Sequence, residues 1–269
     1  MNETELIRED REEELETLRR TCRELEETVQ ALRESNVLWG KKYFAAGDSF
    51  THGDFKYGKQ EERGVAVYDE EWGMFKTYPW WIARRNHMTL VCDGINGSIM
   101  PLAREYVRGD KDVGADYRCP FSFERYKKIP SDTDYITLWF GCNDCWHTIL
   151  GSPDDTTNTT FCGAWNVVLE YLLIHYPFAK IGIIVTNCCT AAYQEATRVA
   201  ARRWGIPYLD MSWSDQTPVI LDRDPSLGVC ERALELRRDA FYVSKQNSHP
   251  NLEAHRYEST FIEDFLRRL

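Results

Sequence analysis

The most informative stretch of the sequence is residues 42–53, Lys-Tyr-Phe-Ala-Ala-Gly-Asp-Ser-Phe-Thr-His-Gly. Its first part, Lys42–Ala46, is short and largely apolar, which predicts a buried β-strand that ends at Gly47. A nucleophilic serine needs a sharp turn after a rigid strand, because the turn presents the hydroxyl to a cleft beside backbone N–H groups. Ser49 has this setting. A simple turn, in which Asp48 and Ser49 cap a helix, is the other interpretation.

Outward from this stretch, short apolar segments alternate with helical patterns. Four more strands are predicted, at Thr89–Cys92, Tyr135–Phe140, Ile181–Thr186 and Ile206–Met211. Helices are predicted at Pro79–Asn86, Ile99–Val107, Thr160–Tyr176, Gln194–Trp204 and Leu252–Leu269. Alternating strands and helices form βαβ units. We therefore predict an α/β fold, a three-layer sandwich around a central, mostly parallel five-stranded sheet.

Two long stretches interrupt the alternation, Phe55–Lys76 and Arg108–Pro130. Both are predicted to be irregular. Loops of this length in a compact domain are often functional, so they could shape a substrate cleft. A surface insertion without a role is the equal alternative.

Three further motifs lie near the predicted ends of elements. Gly97 follows the second strand, where a glycine lets a backbone N–H approach an oxyanion. Asn143 follows the third strand and could donate its Nδ2–H to the same oxyanion. His249 precedes Pro250 at the start of the last helix and is a candidate general base. Each motif alone also fits an ordinary turn, but the carboxyl ends of parallel strands meet at one edge, where sites in such sheets lie.

In this order, the motifs resemble those of the SGNH hydrolases, also called the GDSL family. The resemblance covers about residues 41–269 and implies a flavodoxin-like SGNH hydrolase fold. It also implies the roles of four residues. Ser49 would be the nucleophile and His249 its base, while the backbone N–H of Gly97, the side chain of Asn143 and the N–H of the serine would form the oxyanion hole.

The sequence departs from the family pattern at two positions. Phe50 follows the Gly-Asp-Ser motif where the family often has Leu, and Gln246 stands three residues before the histidine where the family commonly has Asp. The carboxylate that would orient the imidazole is therefore missing from its expected place. Three explanations remain open. A backbone carbonyl near Gln246 leaves a Ser-His dyad, a carboxylate such as Asp239 or Asp210 reaches the histidine, or the site is inactive.

The resemblance implies a serine esterase that hydrolyses carboxylic esters, with short O-acetyl groups on a carbohydrate as the favoured substrate. A lipid or thioester acyl hydrolase is the alternative within this class. An inactive, SGNH-like glycan-binding or structural component, for example of a phage tail, is the alternative outside it. No cofactor and no metal are expected, because Cys142 and Cys145 form only half of a zinc site and the pair Cys188-Cys189 has the wrong spacing to complete it.

The composition limits the kinds of partner that are expected. The chain carries 33 basic and 43 acidic residues, a net charge of −10, which argues against a nucleic-acid partner. The acidic N-terminus does not look like a signal peptide, and no segment is apolar enough to predict a membrane span. The nine cysteines are interpreted as reduced thiols. These features predict a cytoplasmic or virion-associated protein.

Residues 1–37 differ from the hydrolase-like domain predicted for residues 38–269. They predict an amphipathic helix with a heptad seam formed by Leu15, Leu18, Cys22, Leu25, Val29 and Leu32. The seam predicts a homo-oligomer, a dimer or trimer, through residues 15–32. Val at an a position with Leu at each d position weakly favours two parallel strands. A single helix that packs on its own domain is the alternative.

Overall fold

The computed structural model describes residues 3–53, 67–102, 119–212, 230–244 and 247–269. The chain divides into two compact units, Met1–Trp39 and Gly40–Leu269. The first unit contains one helix, α1 (Glu3–Ser35), which is rich in the strong helix formers Glu, Arg and Leu and has no Gly or Pro. Among the described residues, no helix is both long and apolar enough to cross a membrane.

The second unit consists of alternating strands and helices. In chain order these are β1 (Lys42–Gly47), α2 (Ser49–His52), β2 (Tyr68–Asp69), β3 (Met74–Phe75), α3 (Tyr78–Arg85), β4 (Thr89–Gly94), a 3₁₀ turn (Arg125–Lys128), β5 (Tyr135–Trp139), α4 (Asp144–His147), α5 (Phe161–His175), β6 (Lys180–Val185), α6 (Ala191–Arg203), β7 (Tyr208–Asp210), α7 (Glu231–Phe241) and α8 (Leu252–Arg268).

Five of the strands form one sheet in the order β4-β1-β5-β6-β7, and every neighbouring pair is parallel. Strands β2 and β3 form a separate antiparallel hairpin. In a sheet of this order the connections reverse direction between β1 and β5, and ligands bind in the crevice at the carboxyl ends of these strands. The predicted α/β fold with a five-stranded parallel sheet is confirmed.

The sheet is covered on both faces, because successive residues of a strand point in opposite directions. On one face, Ile136 and Leu138 of β5 belong to a core that includes Trp165 and Leu169 of α5. On the other face, the ring of Phe265 in α8 lies so close to Gly182 of β6 that a Cβ there would come within 2.5 Å of it. The close approach explains a glycine in the middle of a buried strand.

The structure differs from the sequence predictions in several places. The predicted helix Ile99–Val107 is not helical over residues 99–102, and residues 103–107 lie outside the described part. The Met100 N–H instead donates to Asp144 Oδ1 at 2.7 Å. The stretch Phe55–Lys76 is not wholly irregular, since it contains the hairpin β2–β3. Helix α7 was not predicted, because Leu234 is its one buried residue and six of its 11 residues are charged.

Helix α8 carries two ionisable side chains that are fully buried, His255 and Glu258. Their nearest polar atoms, Nδ1 and Oε2, are 4.0 Å apart. Burial raises the pKa of Glu258 to about 8 and lowers the pKa of His255 to about 3, and the charge of His249 lowers the latter further. Near neutral pH both groups are therefore largely uncharged, and the pair is not an ion pair.

Glu258→Gln is expected to make the protein more stable in alkaline solution. A carboxyl whose pKa is raised by folding favours the folded state below its unfolded pKa, and this contribution is lost as pH rises through about 8. The variant should gain on the order of a few kcal/mol over the wild type at pH 9 and little at pH 5. Urea unfolding at both pH values measures the difference, with the exposed Glu253→Gln as control. A pH-independent difference would contradict the buried, neutral carboxyl.

Candidate active site

Ser49 is the first residue of α2, directly after β1. Asp48 caps this short helix, since its side chain accepts a hydrogen bond from the Phe50 N–H at 2.9 Å. A Cβ at Gly47 would lie 2.1 Å from Thr51 Oγ1, so only glycine permits the tight passage from strand to helix. The turn and cap interpretation of this motif is therefore correct for Asp48. It does not exclude a catalytic Ser49, which is 7% exposed.

His249 lies beside Ser49, although 200 residues separate them in the sequence. Its Nε2 is 2.8 Å from Ser49 Oγ. The loop that carries the histidine is held at both ends, because the His249 carbonyl accepts from the Val243 N–H at 3.0 Å and Asn251 caps α8 through the Ala254 N–H. The cap is thus Asn251, and Pro250 lies just before the helix.

Asn247 occupies the other side of the imidazole. Its Oδ1 lies 2.7 Å from His249 Nδ1 and also accepts from the His249 backbone N–H at 3.2 Å. An amide oxygen cannot donate, so this contact places the ring proton on Nδ1 and makes Nε2 the ring nitrogen that can accept a proton.

The candidates considered from the sequence for this position lie elsewhere or are not described. Gln246 lies outside the described residues. Asp239 is exposed on α7, and Asp210 accepts from Arg198 Nε at 2.7 Å and from Ser212. The missed residue had a local signal: an Asn two positions before a histidine can turn back onto it through an Asx turn.

Gly97 and Asn143 come from the loops that follow β4 and β5. Gly97 has a φ of 74°, in the left-handed region that favours glycine. Asn143 Nδ2 lies 3.1 Å from the Ser98 carbonyl and 3.3 Å from Asp48 Oδ2. These contacts bring Asn143 next to both the glycine loop and the serine turn. The four predicted residues therefore lie at one edge of the sheet.

A buried carboxylate that the sequence did not reveal joins the same loops. Asp144 is fully buried, and it accepts from the Met100 N–H at 2.7 Å and the Gly141 N–H at 2.9 Å. Burial raises its pKa to about 7, and burial likewise raises the pKa of Asp48 to about 7. Asp144 thus ties the segment after β4 to the turn that carries Asn143.

Arg125, in the 3₁₀ turn, fixes the loop of Gly97 through contacts with residues on both sides of that glycine. Its guanidinium pairs with the Asp93 carboxylate at 3.1 Å, donates to the Asp93 carbonyl at 2.6 Å and to the Cys119 carbonyl at 2.7 Å, and contacts Ser98 Oγ. A planar, always charged group with five donors suits this task. No sequence pattern indicated this role, because the turn lies in a stretch that was predicted to be irregular.

Phe50, one of the two departures from the family pattern, packs against the histidine. Its ring meets His249 edge to face at 5.6 Å between centroids and Trp139 at 5.7 Å. Such aromatic contacts restrain both rings. The larger side chain at this position therefore limits the movement of the imidazole.

No group of three or more His, Cys, Asp or Glu side chains in the described residues has an arrangement that could hold a metal ion. The neighbouring Cys188 thiol and burial together raise the pKa of the Cys142 thiol well above its usual value. None of the nine cysteines, all of which lie in described residues, forms a disulfide bond. The raised pKa keeps the Cys142 thiol neutral, and a neutral thiol is a poor metal ligand and a poor nucleophile.

Solved structures share this arrangement of elements. A Lactobacillus plantarum protein is 22% identical, with 86% of this chain and 98% of that chain covered and a TM-score of 0.58. Two proteins assigned as GDSL-like lipases are also similar. The one from Bacteroides uniformis is 17% identical, with 86% and 97% covered and a TM-score of 0.58. The one from Bacteroides ovatus is 16% identical, with 86% and 99% covered and a TM-score of 0.57.

At these identities the likeness establishes the fold alone, which this chain shares with the two GDSL-like lipases. No protein-family model and no curated protein matches the sequence.

Proposed function

We propose that the protein is a serine ester hydrolase in which Ser49 attacks the carbonyl carbon of a carboxylic ester. The observation that carries the proposal is the 2.8 Å contact between Ser49 Oγ and His249 Nε2. A nucleophile and base within hydrogen-bond reach, with the base oriented by a third group, are the signature of nucleophilic catalysis. Asn247 is that third group.

This geometry indicates how the proton of Ser49 is transferred and where negative charge develops during the reaction. His249 Nε2 takes the proton of Ser49 as the oxygen bonds to the carbonyl carbon, and then delivers it to the leaving alcohol. The carbonyl oxygen becomes an oxyanion, which the N–H groups of Ser49 and Gly97 and Nδ2 of Asn143 stabilise. Water, deprotonated by the same histidine, then releases the acid and restores the serine.

An Asn in place of the usual Asp orients the imidazole but carries no charge. The Asn247 oxygen holds the Nδ1–H and therefore the productive tautomer. A carboxylate would in addition stabilise the imidazolium that forms during the reaction. The triad Ser49-His249-Asn247 is thus expected to be competent, with a rate below that of a carboxylate triad.

Asn247→Asp tests this interpretation. The change keeps the acceptor on Nδ1 and adds a negative charge beside the developing imidazolium, so kcat should stay equal or rise by up to about ten-fold. Steady-state kinetics on p-nitrophenyl acetate measures the effect. A fall of ten-fold or more would indicate that the Asn247 amide group has a role other than accepting the Nδ1–H.

For the substrate, we propose a short acyl group, such as acetyl, on a carbohydrate hydroxyl. Two observations support this. Ser49 is only 7% exposed, so a small acyl group reaches it more readily than a long chain. Trp146 lies three residues after Asn143 with 39% of its surface exposed, and an indole face is suited to stacking against a sugar ring.

A panel of esters tests the substrate class. We expect p-nitrophenyl acetate to be hydrolysed at least ten-fold faster than the decanoate, and acetylated oligosaccharides to release acetate. Trp146→Ala should raise KM for the acetylated oligosaccharide and leave p-nitrophenyl acetate turnover unchanged. Preference for the decanoate would favour a lipid acyl hydrolase. Binding of the oligosaccharide without acetate release would favour the inactive glycan-binding component.

A further inference from the structure

Helix α1 displays a row of apolar side chains along one face. It is one continuous helix over Glu3–Ser35. Leu18, Leu25 and Leu32 at the d positions are 56%, 59% and 65% exposed, and Leu15 and Val29 at a positions are also exposed. A contiguous apolar row on an otherwise charged helix marks an interaction surface.

We propose that this row pairs with the same row of a second copy of the chain, and that the two helices run antiparallel. Both orientations bury the six seam residues, so the choice depends on which residues they bring together. The heptad positions of α1 show which side chains would pack together in the seam and which charges would face each other beside it, in each orientation.

The packing argument concerns Cys22, at the middle of the seam. In a parallel pair each a residue faces the same residue of the other chain. Cys22 would therefore face Cys22 of the partner subunit, and two small side chains would underfill the central layer of the seam. In an antiparallel pair a residues face d residues, so Cys22 meets Leu25 of the partner subunit and Val29 meets Leu18 of the partner subunit. Each small residue then packs against a Leu, which avoids the cost of an underfilled layer.

The charge argument concerns the e positions beside the seam. In the antiparallel register, Arg19 faces Glu26 of the partner subunit, and the two-fold axis repeats this pair. Glu12 likewise faces Arg33 of the partner subunit, although the Arg33 guanidinium also lies over the Trp39 ring of its own chain, 5.1 Å from the centroid. Every e position is thus matched by the opposite charge.

The parallel register forms fewer kinds of ion pair. There, g positions face the e positions of the next heptad, so Glu14 faces Arg19 of the partner subunit, whereas Thr21 and Thr28 face charged residues that they cannot neutralise. The parallel pair therefore has one kind of ion pair where the antiparallel pair has two. Packing and charge both favour the antiparallel dimer.

A charge exchange on the full chain distinguishes the orientations, with the dissociation constant measured by sedimentation equilibrium. The wild type should be a dimer. Arg19→Glu should weaken it roughly ten-fold, because two attractions become repulsions. Adding Glu26→Arg should restore wild-type affinity only in the antiparallel dimer, and adding Glu14→Arg only in the parallel one.

Circular dichroism on each variant confirms that α1 stays helical, and p-nitrophenyl acetate turnover confirms that the hydrolase domain is intact. Recovery with Glu26→Arg and none with Glu14→Arg supports the proposal. A monomeric or trimeric wild type, or recovery with Glu14→Arg, overturns it.

Discussion

Ser49→Ala is expected to lower kcat for ester hydrolysis by roughly 10⁴–10⁶-fold, the usual cost of removing a catalytic serine nucleophile. Without Oγ, His249 Nε2 loses the group that lies 2.8 Å from it, and no acyl-enzyme can form. The residual rate should be that of oxyanion stabilisation alone. Initial rates with p-nitrophenyl acetate, followed over hours for the variant, measure the loss.

The matched control is Ser152→Ala, which removes the hydroxyl of an exposed serine in a loop. It should retain wild-type turnover. Thermal unfolding should show that Ser49→Ala remains folded, because the change deletes one oxygen atom and leaves the Asp48 cap intact. Equal turnover by Ser49→Ala and the wild type would mean that Ser49 is not the nucleophile.

Asn143→Ala is expected to lower kcat by roughly 10²–10³-fold with a small change in KM. A donor that meets charge only in the transition state affects kcat, and one such donor is typically worth this factor. In the structure Nδ2 of Asn143 is shared between the Ser98 carbonyl and Asp48 Oδ2 at 3.1 and 3.3 Å, long contacts that leave it available to a stronger acceptor. Steady-state kinetics on p-nitrophenyl acetate separates kcat from KM.

Asn158→Ala is the control for the structural part of this effect. Asn158 Nδ2 also donates to a backbone carbonyl, that of Ser122 at 2.9 Å. Its loss should reduce stability slightly and leave kcat unchanged. If both variants lowered kcat equally, or if Asn143→Ala changed kcat less than three-fold, Asn143 would be a turn residue and not an oxyanion donor.

The sequence predicted the sheet well for a physical reason. Strands β1, β5 and β6 are buried on both faces, so each reads as a short apolar run, and turn residues bound it. All five strands were predicted within three residues of their observed ends. The hairpin β2–β3 was missed because strands of two residues, partly exposed, produce no apolar run. Helix α7 was missed because it buries little.

For the site, the sequence by itself determined which chemistry-bearing residues end up at the sheet edge. The reason is topological, since residues that follow parallel strands must meet at their carboxyl ends. Ser49, Gly97 and Asn143 follow such strands, and His249 was added because the order of the motifs resembles that of the SGNH hydrolases. The N-terminal seam was likewise readable, because a helical period is a local property of the chain.

Only the tertiary structure decided what surrounds these residues. Nδ1 of His249 is held by Asn247, not by Asp239, and the loops of Gly97 and Asn143 are held by Arg125 and Asp144. A hydrogen bond such as that from Met100 to Asp144 joins residues 44 apart in the sequence. It forms only if the two loops are positioned to within about an ångström of each other. No periodicity encodes such a distance, because burial selects for apolar faces while a buried polar group is satisfied by whichever partner the completed fold brings to it.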